Sequence, residues 1–212
     1  MSGLGQNDTA VAWRRGCVRT VVLGARRPVL GSLLVMKIGG SLLSRPGWPA
    51  LLAALVATRP PRPCCLVVGG GAVVEGLRAI DQATPQPAAV MHELAIDAMR
   101  LTARLVAGAV RLPLATTPPD AHGVVVLDVP AWLAVGSRAT SLPADWQVTS
   151  DAIAARVAVV HGGQLLLAKS VPPPPCPESA DLLGALAAAG WVDNYFPAAA
   201  ASLTTIEWAA PV

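Results

Sequence analysis

The sequence predicts an α/β fold with a largely parallel central sheet, and three observations carry that prediction. Short runs of Val, Leu and Ile alternate along the chain with longer segments of helical periodicity. Several of the short runs are apolar at nearly every position, as in strands covered by helices on both faces. Glycines stand where two of those runs give way to a helix, as strand-to-helix turns require. The composition fits: of 212 residues, 53% are hydrophobic and 14% charged, with a mean hydropathy of +0.53.

The elements follow in order. "LLVMKIGG" (33–40) reads as a buried strand and "GWPALLAALVAT" (47–58) as a helix with Pro49 in its first turn. "RPPRP" breaks the chain before "CCLVVGGG" (64–71), a second buried strand, and "GAVVEGLRAIDQ" (71–82) is a helix. "AVMHELAIDAMRLTARLVAG" (89–108) is the longest helix, carrying a charged stripe of Glu93, Asp97, Arg100 and Arg104. "AVRLPLATT" (109–117) and "GVVVLDV" (123–129) read as strands, and "TSDAIAARVAVV" (149–160) as a helix capped by Thr149 or Ser150. "QLLLAKSV" (164–171) is a strand, "ESADLLGALAAAG" (178–190) a helix closed by Gly190, and "SLTTIEWAA" (202–210) a last strand.

Residues 1–32 read as an N-terminal arm, disordered or outside the fold, and 33–212 as one domain. The arm holds Arg14, Arg15, Arg19, Arg26 and Arg27 and accounts for most of the net charge of +3. Its Arg-rich, acid-poor character resembles a targeting peptide; a disordered arm, or a start placed too early, is the favoured reading. Every apolar run is cut by Lys, Arg, Pro or Gly short of the roughly 20 residues a membrane span needs, so no membrane partner is expected. No basic stripe is interleaved with aromatics, so no nucleic-acid partner is expected either. Cys17, Cys64, Cys65 and Cys176 form no C-x-x-C pair, which fits a reducing cytoplasm and neither zinc nor disulfides. No metal-ligating set is expected.

Ligands of open parallel sheets bind beyond the carboxyl ends of the strands, which singles out "KIGGS", "GGGAVV" and "KSVPP". Glycine turns that open helices let backbone amides approach an anion. Neither "IGGS" nor "VVGGGA" matches Walker A or G-x-G-x-x-G. Lys37 stands at the exit of a buried strand, where it either snorkels to water or meets an anion at the rim. Lys169 repeats that position in "LLLAKS", and two such lysines suit a transferring phosphoryl group. Asp151, at a helix start, is explained either by the helix dipole or as an acid that orients the lysines or helps to hold a metal–nucleotide complex. His92 reads as a satisfied surface histidine, and Asp193 either lines a pocket or caps a turn.

With "KIGGSLL", "LVVGGGAVVEGLR", "TSDAIAA" and "LLLAKSV" in that order, the chain resembles the amino acid kinase family from about Leu33 almost to its end. The resemblance implies a three-layer αβα sandwich and an ATP- and Mg2+-dependent phosphotransferase. It assigns ATP phosphates to Gly39, Gly40 and Ser41, the acceptor to Gly69, Gly70 and Gly71, and catalysis to Lys37, Asp151 and Lys169, with Lys169 also on the nucleotide side. "HELAIDAMRLTARLVAG", "DWQVTSDAIAA", "LLLAKSV" and "GWVDNYFP" look most like the aminomethylfuran phosphate kinases of one-carbon cofactor biosynthesis. That subgroup implies a phosphate acceptor, a cytoplasmic enzyme and a small-molecule partner besides ATP. The long helix suggests a homo-oligomer, at least a dimer. Two departures stand out: the chain is short for the family, and "SVPPPPCP" replaces the Asp-Gly that many members carry after the late strand. A non-catalytic ligand-binding or regulatory homologue with a reduced nucleotide lobe is the alternative.

Overall fold

The structure is a computed structural model, and it describes residues 12–20, 32–59, 61–136, 142–175 and 181–212. Among the described residues seven strands form one sheet: β1 (Trp13–Thr20), β2 (Leu34–Ile38), β3 (Cys64–Val68), β4 (Leu114–Ala115), β5 (Val124–Leu127), β6 (Gln164–Ala168) and β7 (Thr205–Pro211). Their order is β1-β7-β6-β2-β3-β5-β4. Every neighbouring pair is parallel except β1 with β7. Among the described residues seven α-helices surround the sheet: α1 (Trp48–Ala57), α2 (Gly71–Ala83), α3 (Ala88–Val110), α4 (Val129–Leu133), α5 (Ser150–Val160), α6 (Leu182–Ala188) and α7 (Phe196–Ala199). The expected α/β sheet with helices around it is therefore present.

The two-residue period of the strands sorts their side chains into two cores. On one face Val35, Cys65, Val67, Leu165 and Leu167 pack with α4, α5, α6 and α7, around the fully buried Trp132 and Phe196. On the other, Met36, Ile38, Leu66, Val68 and Leu166 meet Leu51, Leu52 and Leu55 of α1 and Ala103, Val106 and Ala107 of α3. All five residues of β2, and all five of β3, are buried, which is why these strands read as unbroken apolar runs. Lys37 breaks that run. By register it shares the face of Val35, beneath α5.

The order places β2 between β3 and β6, with the chain leaving toward one side and returning on the other. The carboxyl end of β2 is thus a switch point, the place where a crevice opens in parallel sheets. Three glycine-bearing or lysine-bearing exits converge there, after β2, β3 and β6.

Several boundaries differ from the sequence reading. Trp13–Thr20, expected to stand outside the fold, pairs with β7 from Trp13↔Pro211 to Thr20↔Thr205. Arginines masked the pattern, but an antiparallel edge strand needs only one covered face, and Val18 supplies a buried contact. The remainder of 1–32, apart from Ala12 and Ser32, lies outside the described residues, as does Cys176. Ala109 and Val110 of "AVRLPLATT" continue α3, which ends where Arg111 turns left-handed (φ 54°), and only Leu114–Ala115 is strand. The helices α4 and α7 have Pro in the first turn and were too short for periodicity to reveal.

Candidate functional site

Lys37, Asp151 and Lys169 come from three separate stretches of chain and meet beneath the crevice. Lys37 Nζ lies 2.9 Å from Asp151 Oδ1, and Lys169 Nζ lies 2.8 Å from Asp151 Oδ2. The Lys37 contact is a charge contact without good hydrogen-bond alignment, whereas Lys169 donates a hydrogen bond. Lys169 Nζ also donates to the Trp191 carbonyl and sits 4.9 Å from the centre of that indole. Side-chain exposure is 6% for Lys37, 6% for Asp151 and 13% for Lys169. Neither lysine snorkels into bulk water.

One carboxylate is shared by two ammonium groups, so the buried triad carries one surplus positive charge. The titration behaviour follows. Burial alone would push the Asp151 carboxyl up, but Lys37 and Lys169 outweigh it and hold it below the ordinary value. A lysine paired with an acid ordinarily titrates higher, yet Lys169 is lowered to about 8. Burial is the larger cause and the neighbouring Lys37 charge the next, and half a share of Asp151 does not offset them. An anion arriving at this surplus charge would relieve both.

The glycine turns lie against each other above the triad. A Cβ on Gly40 would stand 2.2 Å from the Gly71 nitrogen, and Gly71 itself has φ +56° with Gly40 O at 2.7 Å from its would-be Cβ. Only glycine fits either position. Gly39 and Gly69 use their amides in the sheet, donating to Ala168 O (2.7 Å) and Ile38 O (2.9 Å). Gly40, Ser41, Gly69, Gly70, Gly71 and Lys169 line a cavity of about 360 Å³, and Ser41 and Ser170 share a hydrogen bond of 3.0 Å at its edge. Of the residues singled out from sequence, Gly39 supports the turn from below, and Lys37 and Asp151 form the buried floor.

Asp193 resolves to a cap. Its Oδ2 accepts from Thr149 N (3.0 Å), Thr149 Oγ1 (2.8 Å) and Ala152 N (2.9 Å), closing the first turn of α5. Burial raises its carboxyl above the ordinary range. It fixes the helix start that carries Asp151. His92 is buried rather than a surface residue, with 8% exposure, and it lines the cavity with Trp146. Sequence reading missed both, and also missed Arg78, Ser150 and the Trp191 carbonyl; no spacing rule marks residues that a cavity assembles from different elements. Among the described residues no group of three or more His, Cys, Asp and Glu could hold a metal ion.

A largely parallel sheet whose switch point carries two opposed glycine turns over buried lysines defines the class, an α/β domain with its crevice at the carboxyl end of β2. The comparisons name its family. Residues 32–191 match the amino acid kinase family, and the chain belongs to it. Membership implies a kinase-type phosphotransfer function. The structure is similar to uridylate kinase from Archaeoglobus fulgidus at 19% identity and a TM-score of 0.47, over 70% of this chain and 68% of that one. It is also similar to aspartate kinase from Synechocystis at 15% identity and a TM-score of 0.51, over 85% of this chain and 40% of that one. At that identity, the aspartate kinase likeness supports the α/β fold alone. No curated protein matches the chain.

Two outcomes follow from the triad. Asp151→Asn should destabilise the protein by on the order of 3–5 kcal/mol in urea unfolding, because two buried ammonium groups lose their counter-charge. A cost below about 1 kcal/mol would mean that Asp151 merely complements the helix dipole. kcat/KM should fall as pH rises through about 8, where Lys169 of the free protein loses its proton, and Lys169→Arg should move that limb upward in the pH–rate profile. Stability runs the other way. The unfolded lysine keeps its proton up to its ordinary value of 10.5, so Lys169 adds stability as pH climbs from 8 toward it.

Proposed function

We propose that this protein transfers the γ-phosphoryl group of ATP to a small acceptor that is itself a phosphate, the leading acceptor being an aminomethylfuran phosphate. The observation that carries this reading is the buried surplus charge of the Lys37–Asp151–Lys169 triad beneath two glycine turns. Phosphoryl transfer between anions needs charge neutralised on both sides of the moving group, and little else. The amides of Gly40 and Ser41, with Lys169, suit the nucleotide phosphates; Gly70 and Gly71, at the start of α2, suit the acceptor phosphate. Lys37 would stabilise the group in flight, with Asp151 holding both lysines in place.

The same geometry favours an acceptor that is already ionised. An alcohol needs a base within reach of the reacting oxygen, but beside the glycine turns Asp151 has both oxygens against lysines and Glu75 is paired with Arg78 at 2.8 Å, while His92 stands at the far end of the cavity. A phosphate oxygen needs none. Magnesium would travel on the nucleotide's own phosphates, since Asp151 is fully engaged, and would neutralise charge there. The cytoplasm, where ATP is held, suits such an enzyme. Among the described residues no helix is long and apolar enough to cross a membrane.

The outer faces of α2 and α3 leave Val73, Ile80, Leu94, Leu101 and Leu105 exposed, with Leu101 at 56% and Leu105 at 55%. Val73, Leu94 and Leu101 line one shallow groove between the two helices, and exposed apolar surface of this kind supports a dimer seam. Leu101→Glu should shift the protein toward monomer in sedimentation; a wild-type monomer at micromolar concentration would contradict the seam.

The functional test is ATP consumption with magnesium and the aminomethylfuran phosphate, wild type against Lys37→Ala. The expected result is turnover in the wild type and a loss of at least about 100-fold in the variant, in line with removal of a transition-state charge donor. Full turnover in Lys37→Ala would contradict the proposed role of Lys37. ATP binding without turnover on any acceptor would favour a ligand-binding homologue, to which the proline segment after Lys169 would belong.

A further inference from the structure

The cavity extends well beyond the glycine turns, along one face of α3. His92, Ala95, Ile96 and Met99 line it at helical spacing, and Val74 and Ile153 add apolar wall from α2 and α5. Ala98 of the same helix packs beside the glycines, its Cβ 3.6 Å from where a Cβ on Gly70 would stand. His92 lies six residues earlier, roughly 9 Å along the helix axis at about 1.5 Å per residue. The cavity therefore runs from a phosphate-seating end, past an apolar middle, to a single buried histidine.

That histidine is held in one orientation. Its Nδ1 lies 3.1 Å from the carbonyl oxygen of Asp145, which can only accept, so Nδ1 carries the proton. In the neutral ring, Nε2 is then an acceptor. The segment that supplies Asp145 is itself tied down. Gln147 N donates to Asp145 Oδ1 (2.8 Å), and Trp146 Nε1 donates to Asp81 Oδ2 (2.9 Å) on α2. Arg78 of α2 covers the Trp146 ring at 5.1 Å. Because α2 buries no residue of its own, this latch helps to fix it over the cavity. A rigid histidine with one remaining acceptor is suited to reading a donor on a ligand.

We propose that His92 recognises the acceptor: its Nε2 accepts a hydrogen bond from an N–H or O–H at the end of the acceptor farthest from the phosphate that receives the phosphoryl group. The acceptor class is a compact molecule with a phosphate at one end, a small apolar or planar body and a hydrogen-bond donor roughly 9 Å away. His92 is a specificity residue and takes no part in bond making. This inference rests on the phosphate-acceptor reading given under Proposed function.

The test is calorimetric binding to the full chain of the aminomethylfuran phosphate and of its counterpart with a methyl group in place of the aminomethyl. The wild type should bind the amine at least about 10-fold more tightly, the scale of a hydrogen bond made to a buried acceptor. His92→Phe should bind both compounds as weakly as the wild type binds the methyl compound, with its magnesium–ATP affinity unchanged. Equal binding of the two compounds by the wild type overturns the proposal without recourse to any variant, and so does discrimination retained in His92→Phe. A wild type that binds magnesium–ATP but neither compound removes the acceptor reading, and this inference with it, while leaving the kinase reading standing.

Discussion

Two protonated lysines sharing one buried carboxylate leave one positive charge over until Lys169 titrates near pH 8, and much of the site's design answers that constraint. A single buried Lys–Asp pair can be replaced by apolar residues at little cost, so stability gives no reason to retain one, still less to add a second lysine. The second lysine makes sense where an anion supplies the missing charge. The parallel strands deliver both lysines to the same end of the sheet, with β2 and β6 in register from Leu34↔Gln164 to Ile38↔Ala168. The start of α5, closed by Asp193 from a distant part of the chain, sets Asp151 between them.

The glycine turns answer a second, steric constraint. Gly40 and Gly71 touch backbone to backbone, so donor and acceptor phosphates seated on them would be brought close without intervening side chains. Close approach of two anions is costly in water and is feasible here only over positive charge in a medium of low dielectric. The triad and the turns therefore act as one device. The remainder of the cavity, along α3 and under α2, is free to differ in shape and to set which acceptor enters.

The parts legible in the sequence were those governed by short-range rules. Continuous apolar runs marked β2, β3 and β6, helical periodicity marked α3 and α5, and glycine placement marked both turns. Lys37 and Lys169 were visible as charges standing where a buried strand should be apolar. What escaped depended on contacts distant in sequence. Nothing around His92 signals that Asp145, 53 residues on, fixes its ring, and nothing in "GWVDNYFP" says that Asp193 caps a helix 44 residues earlier. The edge strand β1 was hidden for a related reason, since its arginines obscure the apolar pattern in the sequence and its partner β7 is the last described element of the chain. Asp151 was ambiguous because a first-turn acid satisfies the helix dipole and an ion pair equally well until burial is known.

The most direct test of the surplus-charge account is the proton balance of magnesium–ATP binding at pH 8, measured calorimetrically in buffers of different ionisation enthalpy. With Lys169 titrating near 8 in the free protein, an anion seated on the triad should raise it and draw about half a proton from solvent on binding. Binding accompanied by no proton uptake would contradict the account. It would mean that the nucleotide phosphates do not meet the Lys37–Asp151–Lys169 charge.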